Sequence, residues 1–173
     1  ILFVISGMAV YLALDKRTLP SLLKDRTIRI LIPLFFGTIS LVPIYSSLFQ
    51  NYYDKPLVYS PSPGHLWFLV NIWIYILVLL PIFSHMKRKP DNIATKFISY
   101  LINKPGGVIF VFGIPLILEA VIVSPKDYPN FTFWSSAPIH GLLVGVICFF
   151  YGFSFISLGD QFWDSAKRVR FYA

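Results

Sequence analysis

The sequence predicts an all-α integral membrane protein, a polytopic helical bundle. Three observations predict it. Of the 173 residues, 56% are hydrophobic and 18% aromatic, and the mean hydropathy is +0.68. Only 13% are charged, against about 25% in soluble globular domains. The Lys and Arg residues lie in short clusters between long uncharged runs, the distribution of a chain that meets a lipid bilayer. A net charge of +7 would suit a nucleic-acid binder only if the cations shared one folded face. They flank apolar runs instead, so the expected partner is the bilayer and no nucleic acid.

Five stretches without Lys or Arg are long or apolar enough to cross hydrocarbon, in whole or in part: 1–14, 30–49, 66–83, 107–123 and 141–158. A hydrocarbon core about 30 Å thick needs about 17–25 helical residues, which the last four supply. The chain opens at Ile1 inside an apolar run, with no basic segment before it, so 1–14 reads as the second half of a span. The expectation is a single domain over 1–173, incomplete at both ends, with about five spans of a larger bundle. Leu, Ile, Val and Phe recur in these stretches without strict alternation, which disfavours a β-barrel. Pro33, Pro43, Pro81 and Pro115 fall within them and predict kinks, tolerated where neighbours satisfy the freed carbonyls. Ser21, just after Pro20, is the expected N-cap of the helix that enters the second span. Cys148 lies in an apolar run and is the single cysteine, so no intrachain disulfide forms.

Orientation follows from the cations. The 15–29 connection carries Lys16, Arg17, Lys24, Arg26 and Arg29; the 84–106 connection carries Lys87, Arg88, Lys89, Lys96 and Lys104; the tail carries Lys167, Arg168 and Arg170. The other two connections carry Lys55 and Lys126. The positive-inside rule therefore places 15–29, 84–106 and the C-terminal end in the cytoplasm. The external loops, 50–65 and 124–140, are rich in Tyr, Phe, Trp, Ser and Pro. That composition fits an aromatic belt at the headgroups or a sugar-facing surface, since aromatic faces offer flat apolar platforms. Asn130-Phe-Thr132 matches the glycosylation triplet, which matters only in a eukaryotic secretory pathway.

Arg26 and Arg29 stand three residues apart at the start of the second span, hence on one helix face. Two guanidiniums there make a forked, permanently charged receptor for phosphate, or they anchor the helix by snorkelling to lipid headgroups. Ser21-x-x-Lys24 has the spacing of a serine–lysine nucleophile pair, but without the companion motifs of that chemistry.

Phe3-Val-Ile-Ser-Gly7, Arg26-Thr-Ile-Arg29 running into Ile-Leu-Ile-Pro33, and Gly64-His-Leu-Trp-Phe-Leu69 occur in that order. Together they resemble acyltransferase family 3 of integral membrane proteins, most closely its glucan-succinylating, OpgC-type branch. The resemblance implies a roughly ten-helix bundle that takes an acyl group from cytoplasmic acyl-CoA, such as acetyl- or succinyl-CoA. The acceptor would be a hydroxyl of an extracytoplasmic glycan or similar carbohydrate. It implies that Arg26 and Arg29 serve the acyl-CoA; His65 and Trp67, in the external motif, are the candidates for binding the acceptor. It places the family's catalytic His on a span expected upstream of residue 1, and the protein in a bacterial inner membrane.

Within the chain, His65 and His140 sit at external helix starts and His85 at an internal end. With an ordinary pKa near 6.5 each is chemically able to act as a base. His65 and Glu119 are the candidates for catalysis, while His65 and His140 also fit simple interfacial residues. Glu119 is the one charge deep in a predicted span, and intramembrane acids are costly enough to suggest function. Three separated histidines without a Cys or carboxylate pattern predict no metal site. The leading expectation is a membrane O-acyltransferase. The alternative is a transporter or channel, since proline-broken helices and a buried acid fit that class too.

Overall fold

The computed structural model describes residues 1–61, 63–89, 92–123 and 139–169, without the side chains of His65 and Ile139. Within them the chain is helical and has no strand. The order is α1 (Leu2–Ala13), α2 (Leu19–Phe36), a π-turn (Gly37–Leu41), α3 (Val42–Tyr52), a 3₁₀ turn (Gly64–Leu66), α4 (Trp67–Arg88), α5 (Ile93–Ile102), α6 (Gly107–Ile122), α7 (Ile139–Leu158) and α8 (Asp160–Val169). Three helices are long and apolar enough to cross a membrane: Leu19–Tyr52, Trp67–Arg88 and His140–Leu158. A fourth arises if α5 and α6, bent by 114°, form one broken span. Helix α1 has 12 residues and α6 has 16, so neither reaches the usual spanning length by itself. Most of the 124–140 loop, with Lys126 and the Asn130 triplet, lies outside the described residues, as does Arg170.

Helices α1 and α7 make the most extensive contact in the bundle, because both carry glycine where they cross. A Cβ at Gly7 would run into the Phe149 carbonyl oxygen, and one at Gly152 into the Val4 carbonyl oxygen. Membrane helices gain most from such close approach, since lipid supplies no hydrophobic drive between them. Helix α4 closes the group. Its Phe83 is fully buried and stacks on Phe153, with ring centroids 3.9 Å apart and planes 9° from parallel.

Helix α2 starts at Leu19 with Thr18 as its N-cap residue, three residues before Ser21, the expected cap. Pro20 explains the difference: proline fits the first helical turn, where its missing N–H has no intrahelical partner. With the π-turn and α3 it forms a 34-residue rod, roughly 51 Å long at 1.5 Å per residue. That exceeds a 30 Å core by several turns, so its charged first turns, residues 19–29, project beyond the apolar part. Pro43 lacks the N–H that would bond Ile39, and the Tyr59 hydroxyl donates to that Ile39 carbonyl at 2.9 Å.

Helix α5 turns sharply into α6 at Gly106, which has φ of +70°, a left-handed conformation that glycine adopts without a Cβ penalty. Helix α8 folds back under this corner. Its buried Ser165 donates to the Ile102 carbonyl at 2.7 Å, and Phe162 packs in a second apolar cluster with Ile102 and Leu158.

These contacts sort the connections into two ends. At one, Lys87 near the end of α4 meets the end of α1, and α8 meets the α5–α6 corner; this is the basic end. At the other, the ring of Phe3 lies beside that of Trp67, and α6 meets the start of α7.

Candidate functional site

At the basic end the two arginines of α2 point to different partners. Arg26 is half-buried and donates from Nη2 to the Ala9 carbonyl of α1 at 3.3 Å. Its Nε is buried and makes no hydrogen bond. Arg29 is 69% exposed and donates from Nε to Asp25 Oδ1 at 3.0 Å. The second oxygen of Asp25 takes Arg17 Nη1 at 2.7 Å. Asp25 thus bridges two cations, and its carboxyl titrates below its ordinary value, held there first by the Arg17 hydrogen bond and then by the charges of Arg17 and Arg29. Arg26 and Arg29 lie one turn apart on α2, but Arg26 turns to α1 and Arg29 to Asp25. They do not form a symmetrical fork, because a neighbouring carboxylate already holds one of them.

Lys87 completes this end. Its Nζ donates to the Tyr11 carbonyl at 2.6 Å, pairs with Asp15 Oδ1 at 2.7 Å and lies 3.8 Å from the Tyr11 ring centroid. The last carbonyls of a helix have no intrahelical partner and carry its negative dipole end. Lys87 serves such a carbonyl, that of Tyr11, whereas Arg26 donates to Ala9, one position before Val10, whose carbonyl still takes the Leu14 N–H; positive charge there thus also has a structural duty. Trp73 Nε1 donates to Thr27 Oγ1 at 3.1 Å and fixes α2 against α4 beside this group.

The opposite end holds Glu119 on α6 and His140 on α7. Glu119 Oε1 lies 2.7 Å from His140 Nδ1, with the carboxylate side chain 4% exposed and the imidazole 20% exposed. Of the sequence candidates there, Trp67 begins α4 with its ring centroid 6.2 Å from that of Phe3. His65 lies in the Gly64–Leu66 turn just before it, its side chain outside the described residues. His85 is exposed near the end of α4 and Cys148 is half-buried on α7. Ser21 and Lys24 are both exposed on α2. No group of three or more metal-binding side chains occurs among the described residues.

Three participants escape a reading of the motifs alone. Asp25 was legible in principle, four residues before Arg29, the helical ion-pair spacing. Lys87 reads as one more cation of a basic loop. The partnership of His140 with Glu119 spans 21 positions and has no local signal; both merely stand near the same ends of consecutive apolar runs.

The comparisons agree with the motifs. No curated protein and no solved structure matches the chain. A family model described as an acyltransferase domain, that of acyltransferase family 3, matches residues 1–171. On that match, over an all-helical architecture with several apolar helices, the chain belongs to acyltransferase family 3 and is a membrane acyltransferase domain.

Proposed function

We propose that this domain moves an acyl group from cytoplasmic acyl-CoA to a hydroxyl of an extracytoplasmic glycan or similar carbohydrate, in the inner membrane of a bacterium. The glucan-succinylating, OpgC-type branch is the reading that the three motifs favour, with acetyl- or succinyl-CoA as donor. The basic end then faces the cytoplasm, by the positive-inside rule, with the C-terminal end on the same side.

The observation that carries this reading is Arg26. A guanidinium half-buried at the basic end, with its Nε buried and unsatisfied, is a group that a phosphate oxygen would complete. Buried N–H groups are rarely left unpaired, and Arg presents paired donors that match phosphate geometry. Arg29 beside it adds charge, and Lys87 adds a third cation on the neighbouring helix. Acyl-CoA phosphates held there would place the thioester at the inner mouth of the bundle, replacing a bimolecular encounter by a positioned one.

The test is a binding and transfer measurement on the full chain in membrane vesicles and in detergent. Acetyl-CoA or succinyl-CoA should raise the unfolding temperature, with about 2.7 kcal/mol of stabilisation at a hundred times the dissociation constant. Free acetate or succinate should not. Supplied on the basic side, the acyl-CoA should yield acyl ester on a glucan oligosaccharide supplied on the other. An equal thermal response to the free acids, or no ester on any sugar hydroxyl, overturns the proposal.

A further inference from the structure

We propose that the corner between α5 and α6, closed by α8, binds an anionic phospholipid, with Lys104, Lys167 and Arg168 holding the headgroup phosphate. The site lies on other helices than the α2 arginines and does not depend on the acyl-transfer reading. Its ground is a cavity of about 700 Å³ at the basic end, between residues 102–109 of the corner and the last turn of α8. All three cations line it, together with apolar side chains that include Ile102, Val108 and Ile109. Cations beside an apolar wall match an amphiphile with a negative head.

The cations are placed and available. Arg168 Nη2 donates to Ser165 Oγ at 2.8 Å, and the buried Ser165 donates in turn to the Ile102 carbonyl. The guanidinium is thereby tied to the corner. Lys104 Nζ lies 4.7 Å from the centroid of the Tyr100 ring. Among the described residues neither Lys104 nor Arg168 has a carboxylate partner. Lys167 pairs with Asp164 at 3.5 Å, with both side chains about two-thirds exposed, a contact weak enough for a phosphate to displace. Helix α6 begins at Gly107 in the cavity wall and adds the positive end of its dipole.

The flanking helices put the cavity at headgroup level. On α5, Ile93, Phe97 and Tyr100 are exposed at spacings of four and three, hence on one face. A short helix with such a face lies in the membrane interface. Trp163 of α8 is half exposed and is an interfacial residue type. Leu101 and Phe110, next in sequence to Ile102 and Ile109, line a second, mainly apolar cavity of about 610 Å³ against α7, which gives room for acyl chains. Basic pockets between membrane helices on the cytoplasmic side bind anionic headgroups. A free phosphate would leave both apolar walls uncovered, so the occupant that fits is a diacyl lipid.

The experiment counts lipids bound to the full chain in detergent by native mass spectrometry, with dioleoylphosphatidylglycerol or dioleoylphosphatidylcholine added. Each Lys or Arg beside an anionic lipid surface adds about five-fold in affinity. The wild type should therefore prefer phosphatidylglycerol about ten- to a hundred-fold. Lys104→Gln, Lys167→Gln and Arg168→Gln combined should abolish the preference and leave phosphatidylcholine binding unchanged, since all three side chains are exposed. Lys16→Gln, Lys24→Gln and Lys89→Gln combined remove the same charge elsewhere at the basic end and should keep the preference. Equimolar glycerol 3-phosphate or acetyl-CoA should leave the lipid bound. Equal binding of the two lipids by the wild type overturns the site, as does equal loss of preference in both triple variants. Displacement by glycerol phosphate would assign the cavity to free phosphate and displacement by acetyl-CoA to the acyl donor, and either overturns the lipid assignment. Absence of lipid selectivity leaves the acyl-transfer reading standing, because ester formation tests that reading separately.

Discussion

Lys87 of α4 reaches the end of α1 at Tyr11, with its Nζ 2.6 Å from the carbonyl oxygen and 3.8 Å from the centre of the ring. The same ammonium pairs with Asp15. Its side chain is 16% exposed and that of Asp15 is 60% exposed, so the backbone contact, not the ion pair, is the sheltered one. Hydrogen bonds from charged donors contribute about 1.5–3 kcal/mol, whereas exposed ion pairs contribute about 0–1 kcal/mol. Lys87→Met should lower stability by about 1.5–3 kcal/mol and Asp15→Asn by less than about 1 kcal/mol. Denaturant titration in detergent measures both, and the reverse order would refute this account of the α1–α4 contact.

The α1–α7 crossing makes a second prediction. Gly7 and Gly152 each face a backbone carbonyl oxygen of the other helix, and backbone cannot swing aside as a side chain can. Overpacking a tight site costs about 1–3 kcal/mol and at times more; Gly7→Ala and Gly152→Ala should lie at or above the top of that range. Gly113 on α6 is the internal control. A Cβ there meets only Ile109 Cγ2 at 3.8 Å, ordinary contact, and alanine favours a helix over glycine by about 0.5–1 kcal/mol. Gly113→Ala should be neutral or stabilising. Equal thermal stability of all three variants would contradict the close crossing.

What the sequence made legible follows from the range of the forces involved. Apolar runs between basic clusters announce helices in lipid, because hydration of a charge is a property of each residue by itself. Arg26 and Arg29 were legible because helical periodicity is local. Ser21 is a good capping residue type, but the cap of α2 falls three residues earlier, on Thr18, because Pro20 fits the first turn. The 114° corner between α5 and α6 gave only the weak signal of Pro105-Gly106-Gly107. The pairing of Glu119 with His140 depends on how α6 lies against α7, a tertiary fact without a sequence motif. The role of Arg26 at the end of α1 is hidden for the same reason.

The charge split predicts topology directly. With Cys148 replaced by alanine, single cysteines at Asp54 and Asn103, both exposed, should react with an impermeant maleimide from opposite sides of sealed vesicles. Asn103 belongs to the basic end and should label from the cytoplasmic face. Labelling of both from one side would remove the positive-inside assignment.

The arginine group permits the sharpest test, because its members are engaged differently. Membrane anchoring needs only positive charge, so Arg→Lys at 26 or 29 would then be harmless. Phosphate recognition needs the planar fork, which lysine lacks. Loss of one hydrogen bond to a charged group, about 1.5–3 kcal/mol, should weaken acyl-CoA binding about ten- to a hundred-fold in each variant. Asp25 moves the other way. It occupies Arg17 and Arg29, as a phosphate would, so Asp25→Asn should tighten acyl-CoA binding up to about five-fold, the scale of an exposed ion pair. Because the Arg17 hydrogen bond holds the Asp25 carboxyl below its ordinary range, it is ionised at neutral pH, and the advantage of the Asn variant should be constant there. The advantage should vanish only as pH falls through that lowered titration, where the wild-type carboxylate loses its charge. Calorimetric titration with acetyl-CoA reads all three variants. Wild-type affinity in both Lys variants would leave Arg26 as a tie from α2 to α1 and Arg29 as one arm of a surface ion pair.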